Sequence, residues 1–181
     1  MTTMQATLER PRPVSTRDLL ASLHAEAFGW ALACCGRDRT AAEEALQTAY
    51  VRILAGEARF DGRSSFKTWL YAVIRRTAAG ERRRAWLSAR GLARLARLRV
   101  APAPVAGPEA HELTASRAAV LAEALSKLSR RQREVLHLVF YQGLTIVEAA
   151  EILEVSIGSA RVHYERGKAR LRDILDPEVQ R

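Results

Sequence analysis

A proline-dense segment divides this chain into two parts. Residues 100–110, VAPAPVAGPEA, hold three prolines and a glycine. Proline lacks the backbone donor that a helix needs, so this composition is typical of an extended linker. Helical periodicity is present on both sides of it. We therefore predict two small helical domains, 15–99 and 112–181, joined by a flexible linker at 100–111 and preceded by a disordered lead-in at 1–14.

The composition predicts an all-α fold and a negatively charged partner. The chain has 181 residues, 29 Lys and Arg against 20 Asp and Glu, and a formal net charge of +9. Aromatic residues make up 6% of it, and good helix formers dominate over long runs of Val, Ile and Thr. A basic balance favours nucleic acid or an acidic membrane surface as partner.

The first domain is predicted to contain three or four helices. Ser15, followed by Asp18, is placed to cap one helix start, and Thr40 to Glu43 has the spacing of a capping box. A third helix opens near Ser65. Its apolar stripe at helical spacing consists of Phe66, Trp69, Leu70, Val73, Ile74 and Thr77.

Two aromatic residues of this third helix receive different interpretations. Trp69 lies on the stripe, which favours the core. Tyr71 lies off the stripe, which favours a contact with a partner.

The arginine run that follows, residues 75–99, contains nine arginines and one glutamate. Such a run favours a polyanion nearby, and Tyr71 and Trp86 are of the right chemistry to stack on unpaired bases.

The second domain has the capping and turn residues of a helix-turn-helix. Ser129 to Gln132 and Thr145 to Glu148 are capping boxes, and Gly143 lies where a left-handed residue ends a helix. After a tight break at Val155–Ser156, a basic last helix runs to about Leu175. Its inward face is predicted to hold Ala160, Tyr164, Gly167, Leu171 and Leu175. Its outward and flanking residues, suited to a major groove, are Ser156, Ser159, Arg161, His163, Arg166, Lys168 and Arg170.

Several functional classes find no support in the sequence. Cys34 and Cys35 are neighbours and poorly placed to bond each other, and the four histidines show no ligand spacing with them. We therefore expect no metal and no cofactor. No catalytic motif is present, so we predict that the protein is not an enzyme. An apolar leader or spanning segment is also missing, which predicts a cytoplasmic protein without membrane insertion.

Four segments, in this order, resemble the extracytoplasmic-function (ECF) group of bacterial RNA polymerase sigma factors. AAEEALQTAYVRIL (41–54) and FKTWLYAVIRRTAAGERRR (66–84) are similar to the family's region two. ALSKLSRRQREVLHLVFYQGLT (124–145) and VEAAEILEVSIGSARVHYERGKARLR (147–172) are similar to region four, which contains the helix-turn-helix. The resemblance implies a sigma factor that binds core RNA polymerase, directs it to promoter DNA and is regulated by an anti-sigma factor.

The resemblance also implies roles for particular residues. Polymerase would be bound through the polar residues Glu44, Gln47, Thr48 and Arg52. The minus-ten element would be read and opened by Arg63, Ser64, Lys67, Tyr71, Arg75 and Arg76, with Arg82 and Arg83 on phosphate. The minus-thirty-five element would be contacted by Ser156, Ser159, Arg161, His163, Arg166 and Lys168.

Some positions depart from the family pattern. Thr77 stands where Asn is usual, and Gly80–Glu81 stands where Asp is common. Glu154 occupies the turn position that glycine normally fills, which predicts a strained or altered turn. Gly167 inside the last helix costs about 1 kcal/mol relative to alanine.

Two other functions remain open at this point. A free-standing helix-turn-helix regulator would use the first domain to dimerise or to sense a signal. A helical adaptor would use its basic faces to hold acidic proteins, with no role for DNA. The helix at 41–54 and the long arginine run favour a sigma factor, because a repressor needs neither.

Overall fold

Helices account for the ordered secondary structure of both halves of the chain. The computed structural model describes residues 15–93 and 120–175, and no strand occurs in these two ranges. The predicted lead-in and linker lie outside the described residues, as does the end of the arginine run. The helices of the first half are α1 (Thr16–Ser22), α2 (His24–Cys34), α3 (Arg39–Leu54) and α4 (Phe66–Ala93). Those of the second half are α5 (120–126), α6 (Arg130–Leu136), a π-helical turn (His137–Tyr141), α7 (Ile146–Leu153) and α8 (Ile157–Leu175). The predicted all-α fold is confirmed.

Side-chain caps begin several helices as predicted. In each, a hydroxyl accepts from the backbone N–H three residues on, and the side chain of that third residue accepts in return. These reciprocal caps are the pairs Ser15–Asp18, Ser129–Gln132 and Thr145–Glu148.

The predicted capping box at Thr40 is wrong. Helix α3 begins at Arg39, two residues earlier than an N-cap at Thr40 would give, and Asp38 is its N-cap, with Oδ1 accepting from the Ala41 N–H at 3.0 Å. Thr40 therefore lies already inside the helix. Glu43 pairs with Arg39 instead, at 2.8 Å.

Trp30 of α2 stands at the centre of the first domain's core. Its side chain is fully buried, and its Nε1 donates to the Tyr71 carbonyl oxygen at 3.0 Å. Leu70 and Ile74 of α4 are buried around it, as the stripe predicts. Trp69 is half-buried and packs against Phe66 with ring centroids 5.3 Å apart, which agrees with its predicted packing role.

The second domain packs α6 and α7 against α8. Ala160 and Gly167 of α8 are buried, whereas Leu175, predicted to face inward, is exposed. Gly167 is needed for the close approach, because a Cβ there would lie 3.0 Å from the Leu136 Cδ1 atom and 3.2 Å from the Gln132 Cβ atom. The lower helix propensity of Gly167 is thus accompanied by tight packing.

Two turns of this domain use left-handed backbone. Gly143 has φ of 67°, as predicted, and follows the π-helical turn. Glu154, with φ of 52° and ψ of 48°, is the C-cap of α7, so a residue with a Cβ occupies the position that suits glycine.

The two halves share one continuous apolar cluster. It runs from α2, α3 and α4 to Val135, Leu138, Leu144 and Ile152 of the second half. Helix α7 packs directly on α4. Trp30 contacts the His137 ring across this junction, with centroids 5.4 Å apart. The face of α4 beside the predicted apolar stripe is therefore covered by the second domain.

Candidate nucleic-acid interface

Helix α8 exposes a basic face beside a helix-turn-helix turn. Arg161 and Arg166 are exposed, and His163 is half-buried. Lys168 is half-buried, lies over the Tyr164 ring at 4.9 Å and pairs with Glu165 at 3.4 Å. The face can therefore offer two arginines and an imidazole to a groove.

Ser156 and Ser159 form the N-terminal end of this helix. The Ser156 Oγ atom accepts from the Ser159 N–H at 3.1 Å, and the two hydroxyls lie 2.9 Å apart. Ser156 thus acts as the helix cap, while both side chains stay exposed. A capping serine fixes where α8 starts and so sets the direction in which Arg161 projects.

The predicted minus-ten residues begin in the loop before α4. Arg63 is exposed and pairs with Asp61 at 3.1 Å, whereas Ser64 is half-buried. Lys67 in the first turn of α4 is also half-buried. Its Nζ contacts Glu26 Oε2 at 2.6 Å and donates to the Gln142 carbonyl oxygen at 3.2 Å.

Tyr71 is a core residue in this structure, so the prediction that it lies outside the core is wrong. Its side chain is 0% exposed and stacks on Trp30, with ring centroids 6.0 Å apart. Its hydroxyl donates to Gln142 Oε1 at 2.6 Å. Burial, together with the nearby Glu26 carboxylate, raises the pKa of Tyr71. The apolar periodicity of α4 identifies only one buried face. It could not show that the second domain covers a further face of this helix.

Arg75 is buried in the same junction. Its side chain is 9% exposed, with Nε 3.5 Å from Glu134 Oε2 and Nη1 3.5 Å from the Ile152 carbonyl oxygen. Glu134, at 1% exposure, also pairs with Arg130 at 2.7 Å and Arg131 at 3.4 Å. The Glu134 carboxylate is therefore fully paired, while the three guanidinium groups leave this cluster with a net positive charge.

The remaining predicted minus-ten residues are more accessible. Arg76 is exposed and pairs with Glu154 at 3.5 Å. Arg83 is exposed, and Arg82 is half-buried with its Nη1 donating to the Cys34 carbonyl oxygen. Trp86 is 54% exposed.

A polar cavity lies between α3, α4 and the loop that joins them. Its volume is about 460 Å³. Its lining includes Arg52, Arg59, Arg76 and Trp69, so it combines cations with an aromatic ring. Glu57 also lines it and pairs with Arg52 at 3.5 Å. Of these residues, Arg76 was predicted for the minus-ten element, whereas Arg52, from the preceding helix, was predicted as a polymerase contact. This cavity has the chemistry to hold an unpaired base and its phosphate.

The outer face of α3 combines polar and apolar groups. Glu44, Gln47 and Arg52 are exposed and Thr48 is half-buried, which leaves them accessible as predicted. Beside them Val51 and Leu54 are also exposed and line a groove of about 460 Å³ with His24, Phe28 and Tyr50. This apolar part was not predicted from the sequence. The available signal was that Val51 and Leu54 are apolar residues on the side of α3 opposite its buried face.

The described residues offer little for other chemistry. Residues 15–93 and 120–175 contain no cluster of three or more His, Cys, Asp or Glu that could hold a metal ion. Burial raises the pKa of Cys34 and of Cys35, which disfavours their thiolates. No helix in this part of the chain is long and apolar enough to span a bilayer.

Comparison with protein families identifies both halves. Residues 19–88 match the family Sigma-70 region 2, and residues 118–171 match Sigma-70, region 4. These matches fall on α1–α4 and on the helix-turn-helix, in the order that sigma factors share. The chain belongs to the sigma-70 family, in its ECF group. It is therefore a transcription initiation factor and not an enzyme.

Characterised relatives agree over most of the chain. The ECF RNA polymerase sigma factor SigX of Bacillus subtilis is 29% identical over 159 residues, covering 80% of this chain and 79% of the relative. The ECF RNA polymerase sigma factor ShbA of Streptomyces griseus is 29% identical over 168 residues, covering 90% of this chain and 88% of the relative.

Solved structures share the fold. The sigma factor RpoE, crystallised with the anti-sigma factor NepR from Bartonella quintana, matches with a TM-score of 0.68 and 20% identity. The match covers 90% of this chain and 97% of that one. CnrH, in complex with the cytosolic domain of CnrY, gives a TM-score of 0.59 and 23% identity, covering 90% and 88%.

Proposed function

We propose that this sigma factor binds core RNA polymerase and directs promoter recognition at the minus-ten and minus-thirty-five elements. The observation that carries the proposal is the pairing of two basic DNA-suited surfaces on one chain that also matches both sigma regions. One surface is the exposed face of α8, and the other is α4 with its preceding loop. Because both surfaces are on one chain, the binding of one to DNA raises the effective concentration of the other at the same DNA.

At the minus-thirty-five element, α8 lies in the major groove of duplex DNA. Arg161 and Arg166 are exposed and have the geometry to bond guanine edges or phosphates. His163 is next to them, and Lys168 lies further along the helix. The cap at Ser156 sets the start of the helix, and Ser159 stands in its first turn.

At the minus-ten element, α4 and its preceding loop capture the non-template strand. The cavity between Arg59, Trp69 and Arg76 accepts an unpaired base through ring stacking and cationic contacts. Arg63 and Ser64 stand on the loop at its approach, and Arg82 and Arg83 follow along α4 for phosphate. A second face of α4, which takes part in the same contact with DNA, consists of Lys67, Tyr71 and Arg75.

Polymerase docks on the outer face of α3. Glu44, Gln47, Thr48 and Arg52 supply the polar contacts, and the neighbouring apolar groove beside Val51 and Leu54 supplies desolvated area. An apolar groove with a polar rim suits a helical partner. The relatives act with RNA polymerase by name, which supports this assignment.

An anti-sigma factor is the proposed regulator, and the cytoplasm is the proposed location. Both structural neighbours were solved as complexes, and in one the partner is named as an anti-sigma factor. The described helices contain no bilayer span, in agreement with this location. The inhibitor would act by occupying surfaces that polymerase or DNA otherwise uses.

Reconstitution with core polymerase tests the function directly. The chain, added to core polymerase and a library of promoter fragments, should give run-off transcripts whose templates share two elements. Core polymerase alone, on the same library, is the control. A free-standing regulator would instead bind one palindromic duplex tightly by itself, as a dimer, and give no transcripts.

A further inference from the structure

The middle of the exposed face of α8 is occupied by an apolar side chain. Ala160 and Gly167 are buried and therefore mark the side of the helix that packs on its own domain. Val162 follows Ala160 by two residues, which places it about 200° round the helix, close to the point opposite that side. Val162 is 45% exposed. The residues assigned above to the minus-thirty-five element do not include it.

Polar and charged groups surround Val162 on the surface of the helix. Residues three and four positions away lie on the same face. They are Gly158, Ser159, Glu165 and Arg166, all of them exposed. Arg161 precedes Val162 and lies on the adjoining flank. The two long guanidinium side chains can reach phosphates or guanine edges, whereas the short Val162 side chain would meet the base edges directly in front of the helix.

Gly158 leaves open space one turn before Val162. It has ordinary helical backbone, and the one contact given for a Cβ atom there, among the described residues, is Ser156 Oγ at 3.9 Å. Gly167 differs, because a Cβ atom at that position would lie 3.0 Å from Leu136 Cδ1. Packing inside the protein therefore accounts for Gly167 but not for Gly158. A residue without a side chain allows a ligand to approach the helix backbone closely.

Thymine is the base whose chemistry matches this face. Among the four bases, it alone carries a methyl group on its major-groove edge. Burial of that methyl group against the two Val162 methyl groups is favourable. An amine of cytosine or adenine at the same place would face Val162 without a hydrogen-bond partner, which is unfavourable.

We propose that Val162 is a specificity-determining residue of α8: it contacts the methyl group of one thymine in the minus-thirty-five element, while Arg161 and Arg166 bind guanine edges or phosphates on either side. The inference rests on the proposed function, because it requires α8 to lie in the major groove at that element. It adds that the base pair in front of the middle of α8 contains thymine, on one of the two strands.

The test replaces thymine by deoxyuridine, which differs from it by the loss of the C5-methyl group. The full chain and core polymerase first transcribe a library with a randomised minus-thirty-five element, and sequencing identifies the preferred element. Each thymine of that element, on either strand, is then replaced in turn, and single-round run-off transcription is measured at a limiting concentration of the chain. Val162→Ser is the test variant. Val147→Ser, the same change at an exposed valine of α7, is the matched control.

One particular methyl group should matter for the unmodified chain and for Val147→Ser. Its loss should lower transcription about fourfold, as expected for one buried methyl group. Val162→Ser should transcribe the thymine and deoxyuridine templates equally, because the methyl group then has no apolar partner. Both valines are exposed, so both variants should melt at the temperature of the unmodified chain.

Two results would overturn the proposal. In the first, no thymine of the preferred element responds to the loss of its methyl group. In the second, the response is as large in Val162→Ser as in the unmodified chain, which assigns the methyl contact to another residue. Either result leaves promoter-dependent transcription by the unmodified chain in place, so the proposed sigma function stands. Absence of transcripts from the unmodified chain would instead reject that function, and this inference with it.

Discussion

The Tyr71 hydroxyl donates a 2.6 Å hydrogen bond to Gln142 Oε1, although 71 positions separate the two residues in the chain. The bond joins α4 of the first domain to the end of the π-helical turn of the second. Both side chains are buried, so neither has water as an alternative partner. The domain junction is therefore sensitive to the removal of one oxygen atom.

Tyr71→Phe removes that oxygen and keeps the ring. Gln142 Oε1 is then left buried without this donor, which costs about 1–2 kcal/mol of stability. We expect a lower free energy of unfolding than for the unmodified chain, measured by denaturant unfolding, since the ring and its packing are retained. An unchanged free energy of unfolding would mean that the hydroxyl contributes nothing to the junction. Tyr50→Phe, a half-buried tyrosine of α3, is the control.

Acidification should loosen the junction through His137. Burial lowers the pKa of His137 to about 4 from an ordinary 6.5, so the closed state holds a neutral imidazole. The neutral Nε2 accepts from the Gln142 amide, whereas a protonated ring would present a second donor there. The stabilisation is complete above pH 6.5 and declines as pH falls from about 6.5 to about 4, by about 1.4 kcal/mol per pH unit at most.

Thermal unfolding recorded between pH 7 and pH 5 measures this loss. His137→Gln should flatten the pH response, because the group that titrates is gone. His24→Gln, at an exposed histidine of α2, should leave it unchanged. A response that persists in His137→Gln would assign it to another group.

Arg161→Ala should lower transcription in a way that depends on the minus-thirty-five sequence. Arg161 is exposed in the first half of α8, and loss of a bidentate base contact costs about 1–3 kcal/mol at the promoter that carries the right base. Run-off assays on promoters that differ only in that element are the measurement. Equal losses on every promoter would assign Arg161 to phosphate contact instead.

Glu44→Arg combined with Gln47→Ala should weaken binding to core polymerase. Both positions are exposed on α3 beside the apolar groove, so the change alters charge and polar contacts without disturbing the core. Co-purification with tagged core polymerase measures the effect, with Arg17→Ala, at an exposed position of α1 outside the groove, as comparison. Unchanged co-purification would refute the docking role of this face.

Glu154→Gly should stabilise the second domain by about 1 kcal/mol, because glycine adopts the left-handed backbone without the clash of a Cβ. Thermal unfolding measures the difference. Glu154→Gln keeps the strained backbone and removes the ion pair with Arg76, so it should be neutral or slightly destabilising. A melting temperature that does not rise in Glu154→Gly would show that the loss of the ion pair outweighs the relief of strain.

Local signals in the sequence predicted local structure well. The caps at Ser15, Ser129 and Thr145, the left-handed Gly143 and the stripe along α4 were all readable because each depends on residues within a few positions of one another. The cap of α3 was misassigned because Asp38 and Thr40 are both good capping residues, and spacing alone favoured the second.

Contacts between the halves could not be predicted in the same way. The burial of Tyr71 and Arg75 depends on Gln142 and Glu134, which lie beyond the proline-dense segment. Periodicity describes which side of a helix is apolar, but a polar side can also be covered when another domain supplies matching acceptors. The cavity between Arg52, Arg59 and Trp69 likewise arises from three separate segments.

The four-residue repeat of Lys67, Tyr71 and Arg75 sets three side chains of α4 against the second domain. A substitution at any of them therefore alters two domains at once. Variation at these three positions is consequently constrained from both directions, and compensating changes are to be sought at Gln142 and Glu134.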